Sequence, residues 1–175
     1  VDLIEELGLV GVGVELGVRH GDFTEVLAKS RLSFLVGIDH WGERWNVADY
    51  RFAFNRLVFS GNVHLARMTF DEASWLFNDC SLDFIYIDGD ASEKPTARLH
   101  TFHTWWPKLR VGGIIAGHDY CEDWPNVVEA VDLFSKQYSV DISYTSEEVK
   151  QPVKRRRRRK EPDDWGRYPS WYAIK

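Results

Sequence analysis

Only two cysteines, Cys80 and Cys121, occur in the 175 residues, and neither has a partner at metal-site spacing. A disulfide-stapled scaffold is excluded, and the thiols need no functional account. The residues contain no secretory h-region and no apolar run near the ~20 residues of a membrane span. A soluble protein of a reducing compartment, the cytoplasm, is expected, with no membrane partner. There is no GxxxxGK[ST] loop, which removes the main support for nucleoside triphosphate hydrolysis, and no repeat at solenoid periods. Positive charge is scarce outside one place. Seven of the 22 basic residues sit in one run, Lys154 to Lys160 (KRRRRRK); outside it 15 basic residues face 27 acidic ones, a net charge of −12. An acidic body of this kind is a poor nucleic-acid surface. The basic run is left as the one polyanion candidate, readable also as a nuclear localisation signal or as a solvated loop. No methionine opens the chain at Val1, as in a processed protein or a domain cut from something longer.

What is present suffices for one buried core: 44% of residues are apolar and 14% aromatic, including eight tryptophans. A single domain over 1–175 is expected, with a charged insertion at about 146–169. Short β-branched runs alternate with amphipathic stretches, the pattern of βα units around a parallel sheet. Strands are expected at 10–16, 33–39, 62–67, 82–88, 111–117, 139–145 and 170–175, and helices near 22–30, 46–58, 71–78, 93–106 and 124–138, with Asp22 and Asp71 as N-caps. No helix fits between the last two strands, so they are expected to pair antiparallel at one edge of an otherwise parallel, doubly wound sheet. In such sheets ligands sit beyond the carboxyl ends of the strands, where strand order reverses.

Chemistry-bearing residues stand at those ends. After the first strand, Glu15-Leu-Gly17-Val-Arg-His-Gly21-Asp22 makes a glycine turn that opens into a helix, where the backbone can approach a ligand closely. Gly11 and Gly13 lack the third glycine of GxGxxG and read as strand residues. Asp39 closes the second strand 22 residues after Gly17, a spacing that suits hydrogen bonds to ribose hydroxyls and leaves nicotinamide dinucleotides and S-adenosylmethionine both open. Asp88-Gly89-Asp90 ends the fourth strand and Gly117-His118-Asp119-Tyr120 the fifth. Asp88, His118 and Asp119 would then form one cluster, able to hold a divalent cation. Carboxylates suit Mg²⁺, and the imidazole favours Mn²⁺, Fe²⁺ or Zn²⁺. Asp88 or His118 could equally take a substrate proton without metal, and the plainest reading makes the two aspartates helix caps.

In these pieces the chain resembles the class I S-adenosylmethionine-dependent methyltransferases, particularly the small metal-linked O-methyltransferase-like branch of methyltransferase domain family 24 type. The resemblance lies in GVELGVRHGDFTEVLA (13–28), VGIDHW (36–41), SLDFIYIDGD (81–90), WWPKLRVGGIIAGHDY (105–120) and SWYAIK (170–175). It implies a Rossmann-like seven-stranded sheet of order 3-2-1-4-5-7-6, mostly parallel with one antiparallel edge strand. It also implies that Gly17 and Gly21 cradle the methionine part of the cofactor with Glu15 supporting the loop, that Asp39 holds the ribose, and that Thr69 borders the adenine. Asp88 falls on both a cofactor-side and a metal-ligand position, with His118 and Asp119 as the paired ligands. His118 departs from the Asp-Asp or Asp-Asn pair usual there, Ala91-Ser92-Glu93 from the His-Ser-Tyr that often follows D-x-D, and little precedes the first strand where relatives carry covering helices.

The resemblance implies methyl transfer to a small hydroxylated or glycosylated acceptor, assisted by a divalent metal or by Asp88 or His118 as base. Two other readings stand beside it: a non-catalytic methyltransferase-like domain that binds a partner or RNA through its basic loop, and an NAD-dependent oxidoreductase, which the glycine spacing and the lack of a Tyr-x-x-x-Lys pair disfavour. Trp41 is a candidate to pack on the adenine, and Tyr120, Trp124 and Trp165 to line an aromatic acceptor pocket.

Overall fold

Seven short strands line up as one sheet in the order β3-β2-β1-β4-β5-β7-β6 in the computed structural model, which describes residues 1–42, 46–89, 94–145 and 170–175. The expectations for Asp90, Ala91-Ser92-Glu93, Trp165, the run from Lys154 to Lys160 and the insertion at 146–169 lie outside the described residues. The strands are β1 (Val12–Leu16), β2 (Phe34–Asp39), β3 (Val63–Arg67), β4 (Leu82–Ile87), β5 (Leu109–Gly117), β6 (Ser143–Tyr144) and β7 (Trp171–Ile174). The helices are α1 (Asp2–Glu6), α2 (Asp22–Leu27), α3 (Val47–Leu57), α4 (Phe70–Ser74), α5 (Pro95–Trp105) and α6 (Pro125–Tyr138), α5 running on into a 3₁₀ turn at Trp106–Lys108. Strands β1 to β5 pair in parallel, and β7 runs antiparallel to both β5 and β6. The expected topology is the observed one. The last two strands, β6 and β7, pair antiparallel as expected, Tyr144 opposite Trp171. Among the described residues no helix is long and apolar enough to cross a membrane.

Every residue of β4 is buried, as expected of a central strand covered on both faces. Alternate side chains go to opposite sides. Val14, Leu16, Val36, Ile38, Ile85, Ile87 and Ile115 join Phe102 and Trp105 of α5, Phe134 of α6 and Trp171 in the larger core. Leu35, Phe84, Tyr86 and Ile114 join Ile4 of α1, Leu9 and Leu27 in the smaller one. Gly13 lies in β1 as expected and leaves room for Leu32; Gly11, expected in the strand, lies just before it and leaves room for Asp83.

Several boundaries differ from the sequence expectation. Helix α1 was not foreseen, because five residues show no period; it delivers Ile4 to the smaller core. Asp22 is not an N-cap: Gly21, with φ of 79°, takes that position, and Asp22 pairs with Arg56. Nor is Asp71, because Thr69 caps α4 in a capping box with Glu72 while Asp71 meets His100 at 3.0 Å. The strand expected at 139–145 shrinks to Ser143–Tyr144, since Ser139 forms the left-handed C-cap of α6 and Val140 and Ile142 pack against the core instead. Helix α4 ends at Ser74 rather than at 78.

Candidate active site

The order reverses between β1 and β4, so the carboxyl ends of β1, β2, β4 and β5 meet there. The ends are laced by backbone bonds: Gly17 N–H donates to Ile38, Asp88 N–H to Leu16 and His118 N–H to Ile87. Gly17 has φ of 101°, and a Cβ on it would collide with the Asp88 carbonyl, so only glycine lets the turn approach β4 this closely. Gly117 does the same where β5 passes Ile87 and Trp171.

Asp39 is nearly fully buried. One carboxylate oxygen accepts from the Arg19 N–H at 2.9 Å and the other from the Trp41 N–H at 3.1 Å. It therefore fastens the glycine turn to the end of β2; His40 Nδ1 lies 3.5 Å from Oδ1, and Oδ2 keeps a second lone pair for a ligand. Trp41 is not an adenine platform. Its ring is fully buried with Val18 and Ala53, meets Tyr50 edge-on at 4.8 Å, and donates its Nε1–H to the Arg19 carbonyl at 2.8 Å. The indole is thus a second strut under the same turn. Thr69 stands at the β3 end as expected, with its hydroxyl engaged by Glu72 at 2.8 Å.

Glu15 points down from β1 into the interior, 1% exposed, with Oε2 lacking any hydrogen-bond partner. Burial pushes its pKa up to about 8, opposed by the Thr24 hydroxyl and reinforced by the carboxylates of Asp88, Asp39 and Asp22. Asp88 is pushed up to about 6, again by burial first; the charge of His118 pulls against this, Asp119 adds to it, and Arg98 and Arg19 also oppose it. His118 Nδ1 lies 3.0 Å from Asp119 Oδ1, both side chains 16% exposed. One potential ligand atom from each of Asp88, His118 and Asp119 lies within 4.8 Å of the others, the cluster expected from the strand ends. Asp119 adopts φ of 65°, which turns its carboxylate back toward the histidine rather than onward to α6. The capping reading does not hold for it, because Trp124 occupies the N-cap of α6.

Tyr120 leaves the cluster, stacking near Tyr144 at 4.9 Å and donating its hydroxyl to Asp132 at 2.8 Å; Trp124 packs against the larger core. Three neighbours were missed. Arg98 is 4% exposed on α5, on the buried face of Thr101, Phe102 and Trp105; an arginine at i, i+3, i+4, i+7 with core residues is the signal that betrays it. Phe70, at the start of α4, lies against Gly89. His20 Nε2 and Asp49 Oδ1 meet at 2.6 Å and join the glycine turn to α3; no sequence signal links residues 29 positions apart.

Residues 14–120, from within β1 to just beyond β5, match the family described as a methyltransferase domain. The chain belongs to this methyltransferase family. The match contains the glycine turn, Asp39, Asp88 and the His118-Asp119 pair. No curated protein matches the methyltransferase in sequence. Among solved structures, a provisionally named O-methyltransferase of Klebsiella pneumoniae superposes with a TM-score of 0.70 at 15% identity, over 98% of this chain and 76% of that one. The O-methyltransferase of Bacillus cereus, in complex with S-adenosylhomocysteine, gives 0.68 at 16% identity over 99% and 77%. The tRNA (m1A58) methyltransferase TrmI of Aquifex aeolicus gives 0.63 at 12% over 98% and 66%. At these identities the likeness is one of fold, the fold of the S-adenosylmethionine-dependent methyltransferases, and it is shared by enzymes with different acceptors.

Proposed function

We propose that this methyltransferase uses S-adenosylmethionine to methylate a hydroxyl oxygen of a small hydroxylated or glycosylated acceptor, with a divalent cation held by Asp88, His118 and Asp119. The observation that carries the proposal is the convergence of those three side chains beside the glycine turn. The protein residues fit the cofactor: Gly17 and Gly21, both at positive φ, bring the turn tight against Asp88 and α3, Asp39 keeps a lone pair on Oδ2 for the ribose, and Thr69 at the β3 end would border the adenine. Glu15, held neutral by burial, supports the loop from below.

The donor set fits a metal as well. Two carboxylates crowd one imidazole, a charge arrangement that a cation relieves, and the nitrogen ligand favours Mn²⁺, Fe²⁺ or Zn²⁺ over Mg²⁺. A bound cation would supply Lewis acidity that lowers the acceptor hydroxyl's pKa. The chain's own work is to hold the sulfonium methyl and the oxygen in line and, where no cation is bound, to accept the hydroxyl proton at Asp88 or His118. The methyl carbon–sulfur bond breaks as the carbon–oxygen bond forms, leaving S-adenosylhomocysteine and a methyl ether.

Calorimetric titration with S-adenosylhomocysteine, with and without Mn²⁺ or Mg²⁺ and with NAD⁺ as control, tests this reading. Micromolar binding that Asp39→Asn weakens at least tenfold is expected. Binding of NAD⁺ instead would favour the oxidoreductase, and no binding of either would favour a non-catalytic domain.

A further inference from the structure

Helix α3 is more apolar outside than inside. Its inward stripe is Ala53 and Leu57, with Tyr50 partly covered. Outward, Val47, Phe54 and the C-cap Val58 are 52%, 47% and 48% exposed along one flank, Phe52, 64% exposed with its ring 5.6 Å from that of His20, lies on the second, and Phe59, 94% exposed, follows in the turn just beyond the helix. Between the flanks lie Ala48, Arg51 and Asn55, all exposed. Arg56, at the rim, is already tied to Asp22 and Glu25. Aromatic side chains and arginine without lysine or glutamate is the composition of a protein interface centre rather than of a solvated helix face.

We infer that this face of α3 is a homodimer interface, in which two copies of the chain pack α3 against α3 across a two-fold axis. The area argues for a second copy. The three phenylalanines together expose about as much as two free ones, roughly 300–500 Å²; the valines, Ala48 and the stems of Arg51 and Asn55 bring one side toward the ~800 Å² of a standard interface. A two-fold contact sets the same patch against itself, so Arg51, flanked by Phe52 and Phe54, meets aromatic faces that can receive a guanidinium. A lipid surface is the poorer occupant: membrane-binding helices carry rows of Lys or Arg beside their apolar face, whereas α3 is flanked by Asp22, Glu25 and Asp49 on an acidic body. The inference does not depend on the methyltransferase reaction.

Sedimentation velocity of the full chain tests it, at about 100 μM, well above the micromolar dissociation constant that the weakest interfaces of this size reach. A species of twice 20.4 kDa is expected. Phe52→Glu and Phe59→Glu, at exposed positions, should weaken the dimer at least 100-fold with an unchanged circular dichroism spectrum, while Trp75→Glu, 88% exposed on α4's end, should leave it intact. A monomeric wild type, a dimer indifferent to both phenylalanine variants, or recruitment to anionic vesicles without self-association would each overturn the assignment.

Discussion

Strand β4 carries an aspartate at each end, and the two have opposite surroundings. Asp83, at the foot, receives Arg110 through two bonds of 2.9 and 3.1 Å and the Gly11 N–H at 3.0 Å. The Arg110 hydrogen bonds hold its pKa below the usual carboxylate range. Asp88, just past the head, is pushed up to about 6 by burial and faces His118 and Asp119 across the cluster. The carboxylate at the foot is fully served by the protein and ties β1, β4 and β5 together. The one at the head is desolvated beside a like charge, an arrangement that costs stability until a cation or a proton joins it. Strained electrostatics therefore mark the end of the sheet where methyl transfer is proposed, and satisfied electrostatics the opposite end.

Exchanging the two roles should fail in opposite ways. Asp88→Asn is expected to cut methyl transfer by about 10²–10⁴-fold, the contribution of a base or metal ligand, with Tm unchanged or raised; a loss of Tm without loss of rate would erase the contrast. Glu15→Gln sharpens it through pH. The wild-type carboxyl has a pKa of 4.5 unfolded and about 8 folded, so from pH 4.5 to 8 the unfolded chain releases its proton first and wild-type stability falls. The variant escapes that fall, and its advantage in urea denaturation should grow by up to about 1.4 kcal/mol per pH unit across this window and level off above it.

Asp83→Ala should leave kcat near wild type and lower stability by about 1.5–3 kcal/mol, the worth of charge-assisted hydrogen bonds whose donors are left behind; chemical denaturation beside a rate assay reads both. Thr69→Ala should cost about 1 kcal/mol of stability as a lost N-cap, and Thr69→Ser should restore it. A drop in S-adenosylhomocysteine affinity that serine does not rescue would instead assign the threonine methyl to the cofactor.

Much of this was legible beforehand because local rules decided it. Short β-branched runs between amphipathic stretches located the strands, only the sixth shrinking, and glycine at the end of β1 marked the turn, since the positive φ and close approach that Gly17 provides are open to no other residue. No helical pattern could be read between the last two expected strands, and that predicted the antiparallel pairing of β6 with β7. Caps were read less well: Asp22 and Asp71 have the right chemistry, yet Gly21 and Thr69 hold the positions, because capping depends on where the chain enters the helix and not on residue type alone. Trp41 shows the same limit, for nothing in its neighbours in sequence tells that the Arg19 carbonyl, 22 residues away, claims its indole.

By itself, then, the order of apolar runs and glycines determined a mostly parallel sheet and the candidates at its strand ends, since these follow from periodicity and backbone conformation, while the strand order and its reversal point came from the family resemblance. Only the tertiary structure decided which of the charged groups are satisfied and which are not. That division depends on burial and on partners such as Arg98, Arg110 and His20, brought from distant elements, and desolvation is a property of the folded packing that no single residue carries.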